Sequence, residues 1–337
     1  MMYNKEKREG GGGIHTQIMQ SIQGQTREKW LALLAKAELE PDGDPERTVL
    51  IWDEDTIIAT GSRQGNLLKC IAVDPARQGE DLTATVLTAL RQDAFAAGHK
   101  HLFLYTKPKN RYLFQSLFFH PIAQTQKVLL MEDQPRGIQS FLDTLPPAVN
   151  ADKIGALVMN CNPFTKGHQY LVETAARDCD QVYVFVLSED KSRFSAADRM
   201  EMVKRGTAHL PNVTVLPTGP YLISSATFPA YFLKEREKAE QVHCLLDIEI
   251  FARYFAPRFG ITHRYMGTEP LSPMTNQYNT ALKENLPSKG ICPVEIPRLE
   301  VGGKPISASA VRARLDRGES ALSDYLPETT LSYLQTL

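Results

Sequence analysis

The chain carries no excess of either charge: 38 basic residues stand against 39 acidic ones, a formal net charge of −1. The molecule as a whole therefore does not attract a polyanion such as nucleic acid, and any phosphate recognition has to be local. It has no apolar run approaching the roughly 18 to 20 residues that span a bilayer, so no membrane partner is expected. The opening stretch, MMYNKEKREGGGGIHTQ, is polar and lacks the apolar segment of a secretory signal. Cysteine is sparse: Cys70, Cys161, Cys179, Cys244 and Cys292 are odd in number and include no CxxC pair. That pattern argues against a disulfide framework or a zinc site and fits buried thiols in a reducing compartment. The expected location is cytoplasmic, with no metal site built by the chain.

What is present is the balance of a folded globular protein, with 42% hydrophobic and 23% charged residues. At 337 residues the chain is too long for one ordinary core, and two domains are expected. The four glycines from Gly10 to Gly13 mark residues 1–24 as a flexible tail. From about Glu46 to Met131 the pattern reads strand, strand, helix, strand, short helix, strand. Asp53-Glu54-Asp55 is the acidic turn of a hairpin, and Leu82, Val86, Leu90 and Ala94 make one apolar helix face. This domain spans 25–132. Residues 133–152, with three prolines, read as a connecting helix and linker.

The remainder, 153–337, alternates regularly. Apolar strands are expected at 154–160, 181–187, 212–216, 241–246, 261–266 and 292–296, separated by helical segments. Such alternation is the signature of a parallel sheet covered on both faces. In these sheets ligands bind outside the carboxyl ends of strands, where the strand order reverses.

Three post-strand loops carry candidate chemistry. After the first strand comes Met159-Asn-Cys-Asn-Pro-Phe-Thr-Lys-Gly-His168, which sets Thr165, Gly167 and His168 at a helix start, where unpaired N–H groups favour a polyphosphate. The competing reading is a simple cap and a satisfied histidine. After the second strand, Lys191 lies in the loop and Arg199 in the first turn of a helix capped by Ser195, with Asp198 at its third position. Arg199 opposes the helix dipole there, which points to an anion holding it; ordinary surface cations are the alternative. Near the end, Ser307, Ser309 and Arg312 open another helix and suit the outer phosphates of a nucleotide, or are plain capping and surface residues.

Together, T165-K-G-H168, KSRFSAADR and ISASAVR resemble the nucleotidyltransferase superfamily, with its (H/T)xGH and ISSTxxR motifs. The sequence departs from the second motif at Ala308 and Ala310. NCNPFTKGHQYLVE, SSATFPAYF (224–232), GTEPLSPMTNQYN (267–279) and the preceding acetyltransferase-like domain resemble the citrate (pro-3S)-lyase ligase family over nearly the whole chain. The resemblance implies an α/β protein, in which an N-terminal α+β domain of the GNAT acetyltransferase type precedes a Rossmann-like parallel sheet. It implies an acid–thiol ligase that consumes ATP with magnesium, forms acetyl-adenylate, and acetylates the thiol of a CoA-like prosthetic group on the acyl carrier (gamma) subunit of citrate lyase. AMP and pyrophosphate are the products, and no tightly bound cofactor is implied. Thr165, His168 and Lys191 would then be catalytic. Asn160, Phe164, Gly167, Arg199, Gly267, Thr268, Glu269, Ser307, Ser309 and Arg312 would bind nucleotide.

In the N-terminal half, Gln78, Gly79 and Asn110 stand where the acetyltransferase motifs bind a CoA-like arm, so they are candidate prosthetic-arm residues. The loop has lost its other glycines to Asp81 and Thr83, and Phe118 replaces the glycine before Phe119. An aspartate there repels pyrophosphate, which favours a binding or docking role over independent acetyl transfer. Two alternatives remain: an adenylyltransferase acting on a phosphorylated cofactor precursor, and a non-catalytic nucleotide-binding scaffold. Cys161 is read as a buried bystander and not as an acyl relay.

Overall fold

The computed structural model describes residues 13–41, 43–189, 192–222, 244–270, 272–319 and 321–337. They divide into two compact units at Pro135/Arg136. The first unit contains β1 (His15–Met19), α1 (Gly24–Lys36), β2 (Arg47–Asp53), β3 (Thr56–Gln64), β4 (Leu67–Val73), α2 (Leu82–Ala96), β5 (Phe103–Thr106), α3 (Arg111–Ser116), β6 (His120–Gln124) and β7 (Leu129–Glu132). Its seven-stranded sheet runs β1-β2-β3-β4-β5-β7-β6. All neighbours are antiparallel except β4 and β5.

The core forms as the periodicity predicts. Leu82, Val86, Leu90 and Ala94 of α2 are buried against Val49, Ile51 and Leu104 of the sheet. On the opposite face α1 buries Trp30, Leu33 and Leu34, and the Trp30 indole donates to the Thr60 hydroxyl at 3.1 Å. This is the α+β arrangement the sequence led us to expect. One expectation fails: β1 lies inside the stretch read as tail, pairing along Thr48 to Trp52. Its side chains are mostly exposed, so no apolar alternation announced it, and backbone pairing holds it in place. The parallel pair β4 and β5 shares two rungs, Leu67–Phe103 and Leu68–Leu104. A cavity of about 640 Å³ lies between Ile71, Val73, Tyr105 and Thr106, where the strands part.

The second unit contains α4 (Gly137–Asp143), β8 (Ile154–Met159), α5 (Lys166–Asp178), β9 (Gln181–Val186), α6 (Ala196–Thr207), β10 (Val213–Pro217), α7 (Ala256–Phe259), β11 (His263–Gly267), α8 (Pro273–Asn285), β12 (Cys292–Ile296), the short pair β13 (Glu300–Val301) and β14 (Lys304–Pro305), α9 (Ala308–Asp316) and α10 (Glu328–Leu334). The helix α4 lies in the stretch 133–152 read as a connecting helix and linker. The parallel sheet has the order β10-β9-β8-β11-β12, so the first strand is central and the order reverses between β8 and β11. Every residue of β9 (QVYVFV) is buried, as a strand covered on both faces requires. Val182, Val184 and Val186 meet Val172, Ala175, Met202 and Val203 of α5 and α6, while Tyr183 and Phe185 meet Phe255 and Phe259 on the other side.

Of the strand expected at 241–246, the described part, 244–246, is helical and continues through Phe251–Phe255 into α7. A short apolar run such as CLL reads equally as buried helix or buried strand, and only the longer spacing through Ile248, Phe251 and Phe255 separates the two.

Candidate functional site

β8 and β11 pair at only two rungs, Gly155–His263 and Ala156–Arg264. Beyond them β8 stays with β9 up to Met159–Val186, and β11 stays with β12 up to Gly267–Ile296. A cleft therefore opens at the carboxyl ends, at the switch point. Its volume is about 700 Å³, and its walls include Asn160 after β8, Thr165, Gly167 and His168 at the start of α5, Gly267 and Glu269 after β11, and Ser307 and Ser309 at the start of α9. Three segments far apart in sequence, at 160–168, 267–269 and 307–309, thus meet in one cavity.

Thr165 is the N-cap of α5. Its hydroxyl accepts from the His168 N–H at 3.3 Å, and its own N–H donates to His168 Nδ1 at 3.0 Å. This is a capping box with histidine in the place of glutamate, so the capping reading of Thr165 holds. The same bonds set the imidazole: with Nδ1 accepting, the neutral ring carries its proton on Nε2. The ring is stacked on Phe164, with centroids 5.9 Å apart and planes 18° off parallel. Burial, with the Arg298 guanidinium as a second cause, holds its pKa down to about 4. At neutral pH the residue is an uncharged hydrogen-bond donor.

Gly167 also faces the cavity. A Cβ there would come no closer than 3.5 Å to any neighbour, Ile306 being nearest. Packing within the protein therefore does not demand glycine, and the space it leaves belongs to the cavity. Across the cleft Ser307 caps α9, accepting from the Ala310 N–H at 3.4 Å.

Four expected residues are placed differently. Arg312 does not line the cavity; its Nη1 donates to the Asn162 carbonyl at 2.6 Å and its Nη2 to the Ser309 hydroxyl at 3.0 Å. It fastens the start of α9 to the loop after β8. Arg199 is fully buried, donating to the Phe194 carbonyl at 3.2 Å and to Asn160 through its carbonyl at 3.1 Å and its amide oxygen at 2.6 Å. Its Nη2 donates to the Glu189 carbonyl as well. Carbonyl dipoles thus support this cation at its helix start. Phe164 is core, supporting the imidazole. Thr268 acts through Arg298, accepting from its N–H at 3.2 Å and its Nε at 2.7 Å. Glu269 does reach the cavity but is ion-paired to Arg298.

Lys191 and the segment 224–232 lie outside the described residues. Cys161 is buried, and burial pushes its thiol pKa far up, which leaves no nucleophilic thiolate.

Sequence reasoning missed Arg298, Arg264, Tyr278 and Asn279, all of which line the cavity. Arg298 lies two residues past β12, in the kind of post-strand position that marked the other motifs. Arg264 is a charge inside an apolar strand, which is itself a signal. Among the described residues no three His, Cys, Asp or Glu side chains gather to hold a metal.

The cavity of the first unit is lined by Gln78, Gly79 and Asn110. Three of its cations are paired: Lys36 with Asp74 at 2.8 Å, Arg77 with Glu80 at 2.7 Å, Lys107 with Glu38 at 2.9 Å, and Lys109 also lines it. Asp81 occupies a left-handed conformation, φ 54°, at the start of α2.

A family model described as the citrate lyase ligase C-terminal domain matches residues 154–334, the whole of the parallel-sheet region. A protein of Klebsiella pneumoniae named citrate (pro-3S)-lyase ligase is 41% identical over 311 residues, 90% of this chain and 91% of its own. Its namesake in Escherichia coli is 36% identical over 335 residues, 97% of this chain and 95% of its own. That of Haemophilus influenzae is 36% identical over 293 residues, 84% and 87% of the two chains. With both units covered at this identity, and the loops that build the cleft inside the matched region, the chain belongs to the citrate lyase ligase family.

Proposed function

We propose that the chain is the ATP-dependent ligase that activates citrate lyase, and that the cleft between β8 and β11 is where ATP and acetate react. The observation that carries this reading is the meeting of the α5 and α9 starts in one cavity, with a neutral, Nε2-protonated His168 in the first turn of α5 lining it. A carboxylate oxygen of acetate attacks the α-phosphorus in line, the new P–O bond replaces the bond to pyrophosphate, and acetyl-adenylate forms. Charge builds on the phosphoryl oxygens during attack, and the His168 Nε2–H and the N-terminal ends of α5 and α9 oppose it. Gly167 lets the nucleotide approach the backbone, while Ser307 and Ser309 hold the leaving pyrophosphate. Magnesium arrives with ATP, coordinated mainly by its phosphates. Lys191 is assigned to the α-phosphate by family resemblance. The thiol of a CoA-like prosthetic group on the citrate lyase acyl carrier subunit then attacks the mixed anhydride, releasing AMP. Gln78, Gly79 and Asn110 of the first unit are assigned to that arm.

Incubation with ATP, magnesium and labelled acetate tests the first step through acetate-dependent exchange of pyrophosphate into ATP. Addition of deacetylated citrate lyase tests the second. His168→Ala is expected to lower exchange about 100- to 1,000-fold, the usual loss for one preorganised donor. Exchange driven equally by a phosphorylated cofactor precursor, or nucleotide binding with no turnover, would sink the proposal.

A further inference from the structure

The cleft has a floor that the nucleotide reading leaves unused. Arg264 stands on the last rung that β8 and β11 share, and its side chain is 97% buried, 3% exposed. Its Nη1 reaches the carbonyl of its rung partner Ala156 at a long 3.5 Å, and its Nε is buried with no hydrogen-bond partner. The guanidinium lies 5.1 Å over the Phe251 ring. Among the described residues no carboxylate is within ion-pair distance of it; Asp247, the buried acid of this region, accepts from the Tyr278 hydroxyl. A buried cation with an orphan donor is costly unless an anion completes it, and this one faces a cavity.

We propose that Arg264 at the parting of β8 and β11 anchors the carboxylate of the acid substrate. This rests on the reading of the cleft as an acid-activating site. The surroundings favour a small carboxylic acid over a phosphate: Met266, two residues on along the same strand face, and Tyr278 and Leu282 of α8 complete this part of the wall. A short acid has an apolar end to place against them, and a triphosphate has none. One carboxylate oxygen accepts from the guanidinium and the other remains free to attack the α-phosphorus. Guanidinium geometry suits this pairing better than an ammonium.

The test compares wild type, Arg264→Met and Arg264→Lys in acetate-dependent pyrophosphate exchange, and in binding of a non-hydrolysable ATP analogue. The expected result is an acetate KM raised about 10- to 100-fold in Arg264→Met, less in Arg264→Lys, with analogue affinity changed by less than about threefold. An acetate KM within about threefold of wild type overturns the proposal, and so does a loss confined to analogue binding, which would make Arg264 a phosphate ligand. Wild-type protein that binds no analogue sinks the ATP reading itself, a separate outcome. If the variants do not fold, wild type is challenged with acetamide, the neutral isostere. Failure of acetamide to compete at about 100 times the acetate KM supports the anchor, and competition equal to that of acetate overturns it.

Discussion

His168 shows how one residue is fixed three ways at once: by the cap it completes, by the ring beneath it and by the charge beside it. An ordinary histidine changes charge near pH 6.5. With a folded pKa of about 4, this one stays neutral from neutral pH down to well below 6. The unfolded chain takes up a proton near 6.5 that the folded chain refuses, so the contribution of His168 to stability declines as pH falls from about 6.5 towards 4. Ring ¹⁵N shifts are expected to show a single neutral Nε2–H tautomer from pH 8 to 5.5, and a protonation midpoint near 6.5 would contradict the assignment. Gly167 offers a cleaner separation of ligand from fold. Because a Cβ meets nothing closer than 3.5 Å there, Gly167→Ala is expected to leave the denaturant midpoint nearly unchanged while weakening ATP binding about tenfold or more. Unchanged affinity would mean that the nucleotide does not approach this backbone.

At the scale of elements, the contact that supports the site is α6 against the start of α5. Gly206 of α6 lies flat on Phe164, where an added Cβ would stand 2.3 Å from the ring. Gly206→Ala must therefore push Phe164, and with it the stacked imidazole. It is expected to cost about 1–3 kcal/mol of stability and to lower exchange activity in the same protein, both readable by urea melts beside kinetics. Much of this level was legible in advance. The TxGH turn announces the start of α5, and Ser195 with Asp198 announces the box that opens α6. Leu82, Val86, Leu90 and Ala94 give the buried face of α2. What was not legible has physical reasons. β1 is held by backbone bonds that leave no side-chain pattern, and the run at 244–246 was too short to show its period. Arg199 and Arg312 look the same in sequence whether their forks meet phosphate or carbonyl oxygens, and only the fold decides.

On the scale of the molecule, two units carry a cavity each, and the proposed reaction has two stages. If the first unit receives the prosthetic arm, blocking its cavity should separate the stages. Ala84 lines that cavity from the first turn of α2. Ala84→Phe is expected to leave acetate-dependent pyrophosphate exchange within about twofold of wild type while slowing acetyl transfer to citrate lyase about tenfold or more. Equal loss in both assays would assign the first unit to something other than the carrier's arm.

The cleft between β8 and β11 is a wedge with its apex at Ala156 and Arg264. A wedge amplifies: a small displacement at the apex swings the mouth through a larger arc, whereas the same bulk added at the rim is absorbed by loops. Changing which acid the protein accepts should therefore begin at Arg264, deep in the sheet, and not at the loops that ring the entrance.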